Sequence, residues 1–495
     1  MAHIHNLPTE ILGEIFLRCL PERPREESQP NTKIAPILLC HVCSEWRITA
    51  LRLPKLWARL CMKSTFKVLY PIYNHWKKEE YSHMKYPIYE ELPMDPCTLE
   101  FLAWWKDNAC SVPIDLYLDK IKEERVEYDV EEDGTILDGT PPGPETVNAL
   151  EFALGGLPSI RHFEMAINRH AMEVLCKAAT QTTFERLESL AVHQYFHIGI
   201  TSRTKFVFAF PPAPRLRRLA LTSYVNTPSF CWGQLTHLCI LCPIEQSNWL
   251  EVLTNCENLL SGVFYLFEDK SDAGEPVTPS TIMHSKLRQL VVIPSATFRW
   301  VSFPGLKALR ILENEQICSI KTLAELLWKA PALNELHIHS RVTDFDRFFC
   351  RSSPEAEESC WLQNLLPELE LLSFEFTQCR ANSNGSAIAQ LLKSGWAKLP
   401  YRNGKPSRLR ISFDADSRNN DGYTSPVVTA EELEEIKRSN LIREMEELSS
   451  ASDEHTTIEL RLPTVGDKKR DSYRYLWDAE DLPRWDEVMG FLEPT

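Results

Sequence analysis

The sequence predicts an α/β protein: a small N-terminal three-helix unit followed by an irregular repeat solenoid built on a parallel sheet. Two patterns predict it. Apolar residues in the first sixty positions recur at helical spacing, and beyond residue 150 a triplet of leucine, two residues, leucine, one residue and a further apolar residue keeps returning. At 495 residues the chain exceeds the usual size of one compact core, which suits several domains or an elongated repeat array.

Composition narrows the partners. With 43% hydrophobic and 25% charged residues, the chain has the balance of one that buries a core rather than one that stays disordered. A formal charge of -15 repels a phosphate backbone, so no nucleic acid is expected. Apolar stretches are interrupted well before the roughly 20 residues needed to cross a bilayer, and Met1 to Glu10 has neither a basic flank nor an apolar run. The expectation is a cytoplasmic or nuclear protein with no membrane contact. Its 15 Cys, an odd number set among apolar neighbours, suit reduced, buried thiols.

The elements follow in order. Leu7, Ile11, Leu12, Ile15 and Phe16 lie on one face of a helix whose first turn holds Pro8 and which ends by Pro21. Residues 21–33 are polar and proline-rich and read as a loop. A second helix runs from near Pro36 to Leu51 with Ile37, Leu38, Cys40, Val42, Cys43, Trp46 and Ile48 around more than half its circumference. A third, shorter one opens at Pro54 with Leu56, Trp57 and Leu60. Three short helices offer more apolar area than they can bury among themselves, so part of that surface awaits a partner.

Leu7-Pro8-x-Glu10-Ile11-Leu12-x-x-Ile15-Phe16, then Val42-Cys43-x-x-Trp46-Arg47 and Leu53-Pro54-x-Leu56-Trp57, resemble the F-box, the adaptor motif that docks onto the Skp subunit of SCF-type cullin-RING ubiquitin ligases. The resemblance covers residues 1–60, about an eighth of the chain, and departs from compact F-boxes in the long 21–33 segment. It implies a Skp interface drawn from Leu7, Pro8, Ile11, Leu12, Ile15, Phe16, Val42 and Cys43. Trp46, Leu56 and Trp57 would hold the helices together.

Residues 61–149 read as a linker with the first helix-strand units packed on the solenoid. The linker holds Tyr70-Pro-Ile-Tyr73 and a near-copy, Tyr86-Pro-Ile-Tyr89. Its lysines, Lys67, Lys77, Lys78 and Lys85, are nearly cancelled by Glu79, Glu80, Glu90 and Glu91, which argues against single-stranded nucleic acid. A helix at Leu99–Trp105 leads to a strand at Pro113–Leu118, then to a solvated acidic loop from Glu123 to Asp138. This helix and strand also resemble the segment after the F-box in many fungal members.

From 150 to 463 the triplets are Leu187/Leu190/Val192, Leu216/Leu219/Leu221, Leu235/Leu238/Ile240, Leu287/Leu290/Val292, Leu306/Leu309/Ile311, Leu333/Leu336/Ile338 and Leu369/Leu372/Phe374. Weaker copies stand at Ile160/Phe163/Met165 and Leu259/Gly262/Phe264. Most separations fall in or beside the roughly 20 to 29 residues of leucine-rich repeats, although the regular Asn of that pattern is mostly missing. A short strand followed by a return segment lays each strand beside the last, and Asn248–Cys256, Ile320–Lys329 and Ser386–Lys393 are candidate return helices. The leucines hold the stack together. Recognition falls to residues between them, with His193, Thr222, His337 and His339 in or beside such positions. Thr429-Ala-Glu-Glu432 opens a charged helix through Leu448, Ile458–Leu462 alternates like a further strand, and residues 464–495, with Trp477, Trp485, Val488 and Phe491, are expected to cap the open end.

Cys40-His-Val-Cys43 and Cys239-Ile-Leu-Cys242 share a zinc-ligand spacing, but the first is assigned to a helix that needs those faces for packing. The second lies on a strand that turns its two thiols to opposite sides. No phosphate-binding loop, dinucleotide fingerprint or hydrolase signature occurs. The expectation is an adaptor without cofactor or catalytic residue, joining Skp, and through it cullin, to an unknown target protein. The alternatives are an F-box scaffold outside any ligase, and an enzyme with an unrecognised site.

Overall fold

A computed structural model describes residues 7–20, 32–72, 88–91, 97–129, 160–167, 183–194, 212–221, 231–267, 281–293, 298–312, 325–340, 368–376, 407–413, 430–438, 442–443, 446–447, 456–462 and 464. The chain divides into two compact units, residues 1–234 and residues 235–495. Both are mixed α/β and each is organised by a largely parallel sheet.

The first unit opens with helices α1 (Thr9–Arg18), α2 (Ile37–Val42) and α3 (Ser44–Leu51) and a 3-10 turn, Pro54–Trp57. Pro8 stands just outside α1 as its N-cap, and its carbonyl accepts the Leu12 N–H at 3.0 Å. The continuous second helix expected from the apolar spacing is two helices. Cys43, extended at φ -158° and ψ 172°, interrupts it, and its Sγ accepts the Trp46 N–H at 3.4 Å as the cap of α3. The spacing carries on across one extended residue, so periodicity alone does not reveal the break.

Six strands follow in this unit among the described residues: β1 (Arg59–Ile72), β2 (Ile88–Glu91), β3 (Ile114–Asp129), β4 (Ile160–Ile167), β5 (Ser189–Gln194) and β6 (Arg218–Leu221), with α4 (Cys97–Ala109) before β3. They pair in the order β2-β1-β3-β4-β5-β6, parallel except for the β1–β2 hairpin. This corrects the linker reading over 61–72 and 88–91 and the loop reading over 123–129; the rest of both stretches lies outside the described residues. Arg59–Ile72 and Asp115–Asp129 pair along their whole length, so the acidic run is strand at least to Asp129. Charge composition does not separate a loop from a strand; the neighbouring ladder decides it.

The second unit holds β7 (His237–Glu245), β8 (Ser261–Phe267), β9 (Ile282–Met283), β10 (Gln289–Ile293), β11 (Val301–Ser302), β12 (Ala308–Leu312), β13 (Glu335–Ser340), β14 (Leu371–Phe376), β15 (Ser407–Phe413) and β16 (Thr456–Arg461), with helices α5 (Gln246–Asn255) and α6 (Ala430–Lys437). Its main sheet runs β7-β8-β10-β12-β13-β14-β15-β16, every described pairing parallel, and β9 pairs with β11 apart from it. Of the expected return helices, the first is α5 and the second is helical over 325–328. The third, at 386–393, and the capping segment 465–495 lie outside the described residues.

In each of the nine triplets the second and third members lie on a strand, and in all but Ile160/Phe163/Met165 the first stands two residues before it. Register puts their middle members side by side, Leu290 with Leu309 and Leu336 with Leu372, and all are fully or nearly fully buried. The weak copy at Gly262 has a packing reason. Gly262 stands between Leu238 and Leu290 in register, and the Phe264 ring already fills the space its side chain would take, packed against Trp249 at 6.2 Å. Gly262→Leu restores the leucine of the pattern, yet overpacking of this kind costs about 1–3 kcal/mol. Urea denaturation of the variant is expected to show that loss, and unchanged stability would contradict this packing.

Candidate partner-binding surfaces and the polar sheet face

The helical head is closed on one side and bare on the other. Leu12, Phe16, Leu39, Ala50, Leu56 and Trp57 are buried, and Phe16 meets the half-buried Trp46 ring at 4.9 Å. Trp57 is the pivot. Its indole N–H donates to the Ala50 carbonyl at 3.0 Å, its own carbonyl accepts the Trp105 indole N–H at 2.7 Å, and the rings of Trp104 and Trp105 stand edge-on to it at 4.9 Å. The head is thereby fixed to α4 and, through Asp115 N–H to Ala58 O at 2.8 Å, to β3.

Among exposed polar residues such as Glu10, Glu14, His41 and Glu45, several large aliphatic side chains also remain outside. Ile11 is 50% exposed, Ile15 36%, Leu38 41%, Val42 53% and Ile48 52%. Ile11 and Ile15 stack one turn apart on α1, as do Leu38 and Val42 on α2. Of the eight residues the sequence assigned to a partner, Ile11, Ile15, Val42 and Pro8 are exposed, Leu7 is half-buried and Cys43 is half-buried as a helix cap. Leu12 and Phe16 are corrected: at 4% and 0% exposure they belong to the interior of the head, because α1 turns that face onto α3 and the 3-10 turn. Leu38 and Ile48 were missed as surface residues, since a helix apolar over most of its circumference does not show from sequence which edge stays uncovered.

A second surface lies on the sheet of the second unit, opposite the leucines. Register aligns Arg310, His337, Ser373, Arg410 and Glu459 across β12 to β16. Beside that row Glu335 lies 3.6 Å from His337, and Arg410 donates to Glu459 at 2.7 Å. Ser373 is fully buried with no hydrogen-bond partner for its Oγ among the described residues. Toward β7 the same face turns apolar with Cys239, Val263 and Val291, all buried. Of the four residues singled out in advance, His337 is in this row. The side chains of His193 and His339, and the whole of Thr222, lie outside the described residues.

Groups on this face bias one another. The His337 imidazole, and after it Arg408 and Arg410, holds the Glu335 carboxyl below the ordinary Glu value of 4.5, against a smaller upward push from burial. A carboxyl with a lowered folded-state pKa adds stability above its unfolded value, and that stability is lost as pH falls through the folded value. Glu335→Gln is therefore expected to flatten the stability profile below about pH 4.5 and to leave it unchanged in shape near neutrality; an identical acid limb in the variant contradicts the pairing.

The thiols are sorted by burial. Cys239 is pushed far above the usual thiol value and Cys256 up to about 12 by burial, whereas Cys19, Cys110 and Cys231 are exposed. Among the described residues no cluster of metal-ligating side chains forms, either at Cys40 and Cys43 or at Cys239 and Cys242. Brief alkylation at pH 8, read by peptide mass spectrometry, is expected to label Cys19, Cys110 and Cys231 and to spare Cys239 and Cys256. Equal labelling would contradict the packing of β7 and α5. Among the described residues no helix is long and apolar enough to cross a membrane. Compared with known proteins, the chain matches no family model and no curated protein.

Proposed function

We propose that this chain is a substrate-recognition adaptor of an SCF-type cullin-RING ubiquitin ligase, working in the cytoplasm or nucleus. The observation that carries the reading is the apolar surface of Ile11, Ile15, Leu38, Val42 and Ile48, left uncovered on a head whose own core is already filled. A terminal helical unit serving only as a lid would turn those residues inward. Full burial of a large aliphatic side chain gains about 1.5–3 kcal/mol, and these half-exposed ones leave roughly half of that for a partner to recover on docking. The F-box resemblance, which includes Ile11, Ile15 and Val42, names that partner as the Skp subunit, and through it cullin.

In this reading the repeat sheet is an irregular leucine-rich-repeat domain, supported by the nine triplets, and the half-buried members of its polar row, Arg310, Arg410 and Glu459, face a target protein. The adaptor breaks no bond itself. It raises the target's effective concentration near a ubiquitin-charged enzyme held elsewhere in the ligase, a gain of proximity.

The test is co-purification of the full chain with Skp and cullin against the variants Ile11→Asp and Val42→Asp. Burying an unpaired carboxylate where an apolar anchor sat is expected to weaken capture by about a hundredfold or more, while far-UV dichroism and the unfolding temperature stay near wild type. Capture unchanged by both substitutions overturns the assignment. Capture of Skp without cullin replaces the ligase with an F-box scaffold.

A further inference from the structure

The head and the first strands border an open cleft of about 750 Å³, lined by Leu17, Arg18, Leu20, Lys55, Ala58, Arg59, Asp115 and Arg161. Its size is that of a small-molecule site. Its charge is opposite to that of the chain. Arg18, Lys55, Arg59 and Arg161 set four cations against one carboxylate, in a protein whose formal charge is -15. Among the described residues no acid pairs with Arg18, Lys55 or Arg59.

The strands give Arg161 its place. Ile114 pairs with Ile160 and Asp115 with His162, so Arg161 is the extra residue of a bulge in β4. In an unbroken strand Arg161 and His162 would point to opposite faces; the bulge brings Arg161 to the Asp115 side. There its Nε donates to Asp115 Oδ1 at 3.0 Å and its Nη2 to Oδ2 at 2.7 Å, a bidentate lock on a carboxylate only 6% exposed. The third guanidinium nitrogen, Nη1, takes no part in that lock. Arg59 is the register partner of Asp115 from the other side, on β1. Arg18 and Lys55 come from the last turn of α1 and from the 3-10 turn. Four cations from four separate elements, one of them held by a buried acid, converge on one cavity.

We infer that this cleft binds a compact polyanion, a small molecule carrying two or more phosphate groups, which bridges the helical head to strands β1, β3 and β4. Guanidinium groups recognise phosphate by paired hydrogen bonds, and an ammonium adds charge without directional demand. An extended acidic peptide is a poorer fit, since it spaces its charges along a line while these cations gather at one cleft. This inference does not depend on the docking of Skp.

Inorganic tripolyphosphate is the probe, titrated into the full chain by calorimetry and by thermal shift, with sodium sulfate at matched ionic strength as control. Saturable binding is expected, with a rise in unfolding temperature that sulfate does not reproduce. Arg59→Glu and Lys55→Glu, both at exposed positions, are each expected to weaken it about tenfold or more, since each removes one attraction and adds one repulsion. Lys55→Glu should match wild type in unliganded unfolding temperature, and Arg59→Glu, which sets a carboxylate opposite Asp115, is compared with Arg59→Gln. No saturable binding, an equal effect of sulfate, or wild-type affinity in both variants overturns the inference. So does a doubly phosphorylated peptide that binds more tightly than tripolyphosphate, which assigns the cleft to a protein partner.

Discussion

The structure depends on one repeated backbone contact. In six of the nine triplets the residue after the first member offers its carbonyl to two amides of the same turn in the next one. Leu260 O accepts from Arg288 and Gln289, Arg288 O from Lys307 and Ala308, Lys307 O from Asn334 and Glu335, and Asn334 O from Glu370 and Leu371, at 2.7 to 3.1 Å. Glu188 O accepts from Arg217 and Arg218 in the same way in the first unit. Two donors on one carbonyl fix the register of the incoming strand before its ladder begins. A slip of one residue would exchange the two faces of the sheet. The ladder is therefore what keeps leucines on one side and leaves the other for Arg310, His337, Ser373, Arg410 and Glu459.

That contact also accounts for what sequence could and could not reveal. The triplets were legible because the buried face allows only large aliphatic or aromatic residues, and even Gly262 obeys the rule by lending its space to Phe264. The turn was not, since backbone groups make its bonds and almost any residue can stand there: Leu260, Arg288, Lys307, Asn334 and Glu370 share nothing but position. A weaker signal was present. Three residues before the first leucine a buried residue recurs, Phe184, Ala213, Cys256, Phe303 and Ala330, and its carbonyl accepts the leucine N–H. Size varies too much there for a pattern scan to find it. The long β1–β3 pair was missed for the same kind of reason: pairing between segments over fifty residues apart leaves no local period.

In the head the legible part was the helices, and the hidden part was which apolar edge they cover. Trp57 decides it. Once its ring receives Trp104 and Trp105, and its polar atoms are taken by Ala50 and Trp105, the head has one orientation on α4. Leu12 and Phe16 then lie inside, while Ile11, Ile15 and Val42 lie outside. The same docking brings Arg18, Lys55 and Arg59 to the Asp115–Arg161 pair, so one tryptophan sets both the uncovered apolar edge and the cationic cleft.

The most direct test of the whole account is amide hydrogen exchange along the turns that carry the ladder. Protection of Arg288, Gln289, Lys307, Ala308, Asn334, Glu335, Glu370 and Leu371 is expected to equal that of the strands following them, with exchange only through opening of neighbouring repeats. Exchange of these amides at the rate of an unstructured peptide, with the strands still protected, would show that register is held by something else.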